Sequence, residues 1–215
     1  MSTRVDHLVV AARTLAEGVA WCEATLGITP GPGGQHPLMG THNRLFNIGS
    51  EAFPNAYFEI IAIDPDAPPP GRARWFGLDR LDRTHGPRLL HFVARSSALD
   101  AQLRALAEAG FEAGRAIAAS RDTPDGRLDW RIAVRDDGCL LCGGALPTLI
   151  EWGERHPAAT MAPSGVTLRA LHLRGLPLAA QRTLALQNVA VDASGAPALS
   201  ARLDTPRGEV LLASH

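Results

Sequence analysis

The sequence contains no lysine and few cysteines. All 21 basic residues are arginine, which excludes Schiff-base chemistry and a phosphate-binding P-loop with its lysine. The three cysteines, Cys22, Cys139 and Cys142, are too few for a disulfide framework. Cys139 and Cys142 have CxxC spacing, but no second pair accompanies them. We therefore interpret them as structural thiols rather than as a zinc or redox site.

Charge and composition exclude further classes of protein. Apolar residues make up 46% of the chain and charged residues 20%, which is ordinary for a globular protein and argues against disorder. The net charge is −1, so the overall charge attracts neither nucleic acid nor an anionic membrane. Apolar runs are far shorter than the roughly 20 residues of a membrane span, and the segment after Arg4 is too interrupted for a signal peptide. We expect a cytoplasmic protein.

The strongest pattern is an internal repeat. An apolar strand with a central histidine precedes an amphipathic helix that ends at glycine, once within 5–27 and again within 89–110. The apolar residues of both helices recur at spacings of three and four. Gly27 and Gly110 suit the left-handed position that closes a helix. The repeat predicts two modules of the same kind.

Strand-like runs follow each helix, and the last run of each copy carries a glutamate among apolar neighbours. Glu59 lies 52 positions after His7, and Glu151 lies 60 positions after His91. We therefore predict an α+β protein built from paired βαβββ modules that form curled mixed sheets. The runs that follow the helices cover 43–48, 56–63, 128–134 and 146–152.

A third, shorter piece begins near residue 163. It predicts a first strand with a central histidine, His172, then a helix and further short strands, but no glutamate-bearing last strand of the same clarity. We interpret it as an extra, degenerate C-terminal half-module packed on the sheet. An edge strand left open there could pair with another chain, which leaves a homodimer open. The predicted units are 1–84 (first module with linker), 85–155 (second module) and 160–215 (half-module).

The four repeated side chains form the candidate chemical centre. A carboxylate in the middle of an apolar strand is costly unless it is paired or bound to a metal. Two modules related by a pseudo-two-fold axis would bring His7, Glu59, His91 and Glu151 towards one point. Two imidazoles and two carboxylates suit a divalent metal such as Zn, Ni, Fe, Mn or Co. Asp6 is expected to face the other way, since neighbours on a strand alternate.

The repeated segments resemble the vicinal-oxygen-chelate superfamily and its glyoxalase-like domain proteins, the type that includes glyoxalases, bleomycin-resistance proteins and dihydroxybiphenyl dioxygenases. The resemblance implies curled sheets that form a cup, with a metal held by His7, Glu59, His91 and Glu151. The segments that carry it are Val5-Asp6-His7-Leu8-Val9-Val10, Gly40-Thr41-His42-Asn43-Arg44-Leu45, Tyr57-Phe58-Glu59-Ile60-Ile61-Ala62-Ile63-Asp64-Pro65, Leu90-His91-Phe92-Val93 and Leu149-Ile150-Glu151-Trp152.

The same resemblance implies a class of reaction on a small molecule. A metal-dependent lyase or isomerase would hold two vicinal oxygens, as in a thiohemiacetal, and stabilise an enediolate while Glu151 or Glu59 shuttles the proton. Three of the four groups could instead form the two-histidine, one-carboxylate face of an Fe(II) extradiol dioxygenase. The fold is also compatible with a metal-free protein that binds or sequesters a small molecule, and with an interaction module that keeps a relict pocket.

Further residues are candidates for substrate contact at the mouth of the cup. His42, Asn43 and Arg44 open the second strand after a glycine-rich loop, where they could fix a polar substrate or serve only the turn. Trp75, next to Arg74, could form a lid or an anion anchor, or simply pack. The remaining histidines outside the strands, His85, His156 and His215, are interpreted as surface residues.

Overall fold

The computed structural model describes residues 2–82, 84–124 and 126–214. The N-terminal part contains β1 (Arg4–Ala11), α1 (Leu15–Leu26), β2 (Gln35–His36), β3 (Thr41–Asn47), β4 (Tyr57–Ile63) and a 3-10 segment (Trp75–Arg80). The next part contains β5 (Arg88–Arg95), α2 (Leu99–Glu108), β6 (Arg115–Thr123), β7 (Gly126–Val134), β8 (Thr148–Trp152) and 3-10 turns at Cys142–Gly144 and Pro157–Ala159. The last part contains β9 (Thr167–Arg174), α3 (Leu178–Leu184), β10 (Val189–Asp192), β11 (Leu199–Thr205) and β12 (Gly208–Ala213).

The first eight strands form one mixed sheet in the order β2-β3-β4-β1-β5-β8-β7-β6. The first strands of the two repeats, β1 and β5, pair antiparallel at its centre. Each pairs in parallel with the last strand of its own repeat, β1 with β4 and β5 with β8. This arrangement has the symmetry that the sequence repeat predicts, and it confirms the α+β fold of paired modules.

Two strands were not identified in the sequence. β6 pairs with β7 over nine residues, from Arg115 opposite Val134 to Thr123 opposite Gly126. It lies at the edge of the sheet, and its residues are exposed or only partly buried, so its sequence lacks the buried apolar run that marks a strand. β2 has only two residues, too few to produce any pattern.

The two faces of the large sheet carry different cores. Leu8 and Val10 of β1 belong to a large apolar cluster that also contains residues of α1, α2 and the C-terminal sheet. Val9 and Ala11 belong to a second cluster on the opposite, concave face. The alternation along β1 therefore separates a convex side covered by helices from a cup.

The C-terminal residues form a separate four-stranded sheet in the order β10-β9-β11-β12. β9 pairs in parallel with β10, the strand that directly follows α3. In the two repeats, by contrast, the first strand pairs in parallel with the last one. Leu171, Leu199 and Leu203 bury this sheet in the same cluster as the convex face of the large sheet.

The helix ends follow the sequence closely. Thr14 caps α1 by accepting a hydrogen bond from the Glu17 amide, as N-terminal threonines commonly do. Gly27 and Gly110 adopt φ values of +77° and +88° after α1 and α2, which confirms their predicted left-handed conformation. None of the helices in the described residues is long and apolar enough to cross a membrane.

Gln102 of α2 is buried, and neither of its side-chain amide atoms has a hydrogen-bond partner among the described residues. Unpaired buried amides are destabilising. We expect Gln102→Met to raise the free energy of unfolding by about 1 kcal/mol or more, measured by urea denaturation.

A matched control is available in α3. The side chain of Gln181 donates a hydrogen bond to the Leu176 carbonyl at 2.7 Å, so Gln181→Met should lower the free energy of unfolding by about 1 kcal/mol. If Gln102→Met destabilises the protein as much as Gln181→Met does, the amide of Gln102 is hydrogen-bonded in solution and our interpretation is wrong.

Candidate active site

The structure brings two of the four predicted ligands together. His7 of β1 and Glu59 of β4 are both buried, and His7 Nε2 lies 3.5 Å from Glu59 Oε2. The two strands are adjacent and parallel, with Val9 opposite Glu59. Both side chains line a cavity on the concave face, so the first repeat places a histidine and a carboxylate in contact inside the cup.

A β-bulge in β1 turns a third ionisable residue to the same site. Val5 is opposite Ala94 of β5 and His7 is opposite Val93, which leaves Asp6 as the extra residue. Such a bulge breaks the alternation of a strand. Asp6 is not among the residues that line the cavity, but its side chain contacts that of His7, with His7 Nδ1 donating to Asp6 Oδ1 at 2.8 Å.

Asp6 is fully buried and accepts two further hydrogen bonds. Trp152 Nε1 donates to Asp6 Oδ2 at 3.0 Å, and His156 Nε2 donates to the same oxygen at 2.9 Å. Burial alone would raise the pKa of Asp6, but the hydrogen bonds from His156 and His7 outweigh it and hold the pKa well below its usual value. Asp6 is therefore an anion that joins β1 to β8 and to the segment after β8.

The ionisation of His7 and Glu59 follows from these contacts. Burial would lower the pKa of His7, but its hydrogen bonds with Asp6 and Glu59 raise it to about 9. Burial would raise the pKa of Glu59, but the contact with His7 lowers it below its usual value. Tyr57 stacks on the His7 ring with centroids 4.4 Å apart. At neutral pH the site thus holds a protonated imidazole next to a carboxylate.

Asn43 is the candidate substrate-contacting residue that the structure places at this pair. Its Nδ2 donates to Glu59 Oε1 at 2.6 Å, and its Oδ1 accepts from the Gly34 amide at 2.8 Å. His42 instead lies with Nδ1 3.8 Å from Asp64 Oδ1, and Arg44 is exposed. Asn43 therefore orients the carboxylate, while its two neighbours on β3 do not face it.

Trp75 also reaches the cup. It is buried in the 3-10 segment, its ring meets His36 edge-on at 5.0 Å, and it stacks on Phe76 at 5.4 Å. The His36 Nε2 lies 3.3 Å from Asn43 Nδ2. Burial lowers the pKa of His36 to about 4, so this imidazole is neutral and completes a polar row beside Glu59.

His91 lies in a different environment from His7. Its Nδ1 donates to the Gly144 carbonyl at 3.1 Å, and its Nε2 accepts from the Thr148 amide at 3.0 Å. Burial lowers the pKa of His91 to about 3. The lone pair of this neutral ring is directed at a backbone amide, so it is not free to bind a metal in this conformation.

Glu151 lies on the opposite face of the sheet from the cup. Its Oε2 accepts from Arg131 Nη1 at 3.1 Å, and its Oε1 accepts from the Leu99 amide at the start of α2 at 3.4 Å. Its neighbours Ile150 and Trp152 line the cup instead. Because side chains alternate between the two faces of a strand, a shift of one position moves a side chain from the cup to the convex face of the sheet.

The donor set predicted for a metal therefore does not fit this structure. The imidazole of His91 is engaged with Thr148, and Glu151 is on the convex side. Within residues 2–82, 84–124 and 126–214, no group of three or more His, Cys, Asp or Glu side chains is arranged to hold a metal. His7 and Glu59 remain together as a buried imidazole–carboxylate pair.

The pair lines a small cavity of about 40 Å³, which has room for only a few water molecules. Its wall is largely aromatic. Besides His7, Glu59 and Asn43, the wall residues are His36, Leu45, Tyr57, Trp75, Phe76, Arg121, Trp130, Ile132, Ile150 and Trp152.

Several residues of the site were not predicted from the sequence. Asp6 was missed because a bulge leaves no clear pattern, and Arg121 because β6 was not identified. His156 was expected at the surface, but its side chain is only 12% exposed and bonds Asp6. His85 is exposed as expected, and His215 lies outside the described residues. The orientation of Trp152 towards the cup could have been predicted, because it lies two positions after Ile150 on β8 and residues two apart on a strand share a face.

The paired modules and their cup form the fold of the vicinal-oxygen-chelate superfamily. More specifically, residues 5–204 match the glyoxalase-like domain family, and the chain belongs to that family. Comparison with curated protein sequences finds no match.

Comparison with solved structures agrees with this fold. A hypothetical protein from Staphylococcus aureus matches 80% of this chain with 69% of its own, at 17% identity and a TM-score of 0.55. Methylmalonyl-CoA epimerase from Streptomyces coelicolor, in complex with 2-nitronate-propionyl-CoA, matches 73% of this chain with 99% of its own, at 17% identity and a TM-score of 0.48. The epimerase from Mycobacterium tuberculosis is 18% identical, covers 69% of this chain with 85% of its own, and has a TM-score of 0.40.

The contacts of Asp6 predict a linked change in stability and ionisation. Asp6→Asn places an amide N–H₂ opposite donor groups and should lower the free energy of unfolding by about 3–5 kcal/mol, as expected when a buried ion pair loses one partner. The pKa of His7, measured by NMR of its ring protons, should fall below its value of about 9.

The pH dependence of stability has a definite sign. The pKa of His7 is raised from 6.5 to about 9 on folding, so its contribution is complete below pH 6.5 and is lost as the pH rises through about 9. This loss of stability at alkaline pH should be smaller in Asp6→Asn than in the wild type. The control is Asp129→Asn, which breaks an exposed pair with Arg127 and should cost less than about 1 kcal/mol. If Asp6→Asn and Asp129→Asn lower the free energy of unfolding by the same amount, our interpretation of Asp6 is wrong.

Proposed function

We propose that the chain is an enzyme of the lyase or isomerase kind that moves a proton on a small molecule with vicinal oxygens, with Glu59 and His7 as the proton-transfer pair. The observation that carries this proposal is the contact of the buried His7 imidazole with the Glu59 carboxylate in the wall of a cavity inside the cup. Perturbed ionisable groups in a buried site are typical of acid–base catalysis.

The charges of the pair suit an enediolate-type reaction. Glu59 removes a proton from the carbon next to a carbonyl group and becomes a neutral acid. The electron pair of the broken C–H bond moves to the carbonyl oxygen, and the His7 Nε2–H donates to the oxyanion that forms. Glu59 then returns the proton to the neighbouring carbon, which was the carbonyl carbon. The Nε2 proton of His7 passes to the oxyanion and His7 takes the hydroxyl proton of the first carbon, so that the carbonyl and hydroxyl groups exchange places. No net charge is gained or lost.

The surrounding residues position the two groups for this role. Asp6 accepts from His7 Nδ1, which fixes the orientation of the ring and directs Nε2 at Glu59, as a buried carboxylate does for a catalytic histidine. Asn43 holds Glu59 Oε1 and leaves Oε2 facing His7. We assign both Asp6 and Asn43 as positioning residues.

A second candidate function is supported by a specific observation. A metal-free binding protein of this fold would have the four repeated side chains apart and hydrogen-bonded, and His91 and Glu151 are both of that kind. Such a protein would hold its ligand in the cup without changing it. An Fe(II) dioxygenase has less support, because its ligand face needs a second histidine beside Glu59 and His91 is bonded to Thr148 instead.

Exchange of substrate hydrogen with solvent distinguishes the enzyme from the binding protein. We expect the wild type to incorporate deuterium from D₂O at the carbon next to the carbonyl in a panel of thiohemiacetals and α-hydroxy ketones, followed by proton NMR. Glu59→Gln should slow this exchange by about 10²–10⁴-fold, the contribution of a general base. Runs with chelator, and with Zn, Ni, Fe, Mn or Co added singly, measure any dependence on a divalent metal.

The matched control is Glu151→Gln, which makes the same chemical change on the convex face of the sheet. It should retain the wild-type exchange rate once thermal unfolding shows that both variants are folded. Equal losses in the two variants, or no exchange by the wild type with any member of the panel, would count against an enzyme and favour the binding protein.

A further inference from the structure

Two hydrogen-bond donors in the wall of the cup bond none of the described residues. The indole Nε1 of Trp75 and the guanidinium Nη1 of Arg121 are buried and have no hydrogen-bond partner among the described residues. Both residues line the cavity that contains His7 and Glu59. Since buried polar groups are almost always hydrogen-bonded, two unpaired donors around one cavity are placed to bind an acceptor inside it.

A much larger cleft begins where this cavity ends. Its volume is about 840 Å³, within the range of small-molecule binding sites. Leu45 and Arg121 line both spaces, so the cleft and the cavity are adjacent. The apolar residues of its wall include Ile28, Leu45, Phe46, Leu128, Met161 and Pro163.

The cleft is lined by two basic residues, one acidic residue and one histidine. Arg121 and Arg155 are basic, Glu154 is acidic, and His156 is committed to Asp6. Arg121 is half-buried at the junction of cleft and cavity, and within residues 2–82, 84–124 and 126–214 it forms no ion pair with an acidic side chain. A positive group where an apolar cleft adjoins the cavity matches a ligand with a negative group and an apolar tail.

We propose that the cleft binds an amphipathic monocarboxylate, with the carboxylate at Arg121 and Trp75 and the apolar tail along the cleft. An arginine guanidinium is suited to a carboxylate because its N–H groups match the two oxygens. The assignment of a binding site stands on the cleft and its donors. It rests on the proposed function only in identifying the ligand as the substrate, whose carbon chain would then begin beside Glu59.

The test compares two probes that differ only in their head group. Decanoate and decanol are titrated into the full-length protein below their aggregation concentrations. Binding is followed by calorimetry and by tryptophan fluorescence, since Trp75, Trp130 and Trp152 line the cavity. We expect decanoate to bind the wild type more tightly than decanol does.

Two variants separate the head-group site from the tail site. Arg121→Met should weaken decanoate binding by about ten-fold or more, as loss of a charge-assisted hydrogen bond does, and should leave decanol binding unchanged. Ala159→Trp fills the cleft from an exposed position in its wall and should weaken both probes. Arg44→Met is the matched control, since Arg44 is exposed on β3 and should affect neither probe.

The outcomes of the binding test are distinguishable from those of the proton-exchange test of the proposed function. Equal decanoate affinities of Arg121→Met and the wild type, or equal losses in Arg121→Met and Arg44→Met, would overturn the carboxylate site. So would wild-type affinity for both probes in Ala159→Trp. Glu59→Gln should still bind decanoate, so a failure of proton exchange leaves this inference intact, and a failure of binding leaves the acid–base pair intact.

Discussion

The buried carboxylate of Asp6 is the constraint on which the site depends. It accepts hydrogen bonds from His7, from Trp152 at the end of β8 and from His156 beyond it, and so joins the two repeats across the cup. An unpaired carboxylate at this depth would be strongly unfavourable. The chain must therefore keep both imidazoles in place, which fixes the ring of His7 towards Glu59 and closes the end of the cup near the cleft.

The two repeats have the same strands but use their polar residues differently. In the first repeat, His7 and Glu59 face each other in the cup. In the second, His91 is bonded to the backbone of Gly144 and Thr148, and Glu151 supports the start of α2, whose N-cap residue Ala98 provides no side-chain hydrogen bond. The second repeat thus contributes mainly apolar residues to the wall of the cup, namely Trp130, Ile132, Ile150 and Trp152, together with the basic Arg121.

Much of the fold could be predicted from the sequence, because repeated apolar patterns and helix-closing glycines are local signals. The contact of His7 with Glu59 could also be predicted, since the two residues lie on the first and last strands of one repeat. The positions of Asp6 and Glu151 could not, because a bulge or a shift of one residue exchanges the faces of a strand and leaves composition unchanged. The role of Arg121 depends on an edge strand, β6, whose partly exposed residues give no clear pattern.

The pairing of His7 with Glu59 rather than with Glu151 is tested most directly by two double-mutant cycles on the free energy of unfolding. One combines His7→Gln with Glu59→Gln, and the other combines His7→Gln with Glu151→Gln. We expect a coupling energy of about 1–3 kcal/mol in the first cycle and less than about 0.5 kcal/mol in the second, as for residues in contact and residues far apart. A coupling between His7 and Glu151 as large as that between His7 and Glu59 would contradict this account.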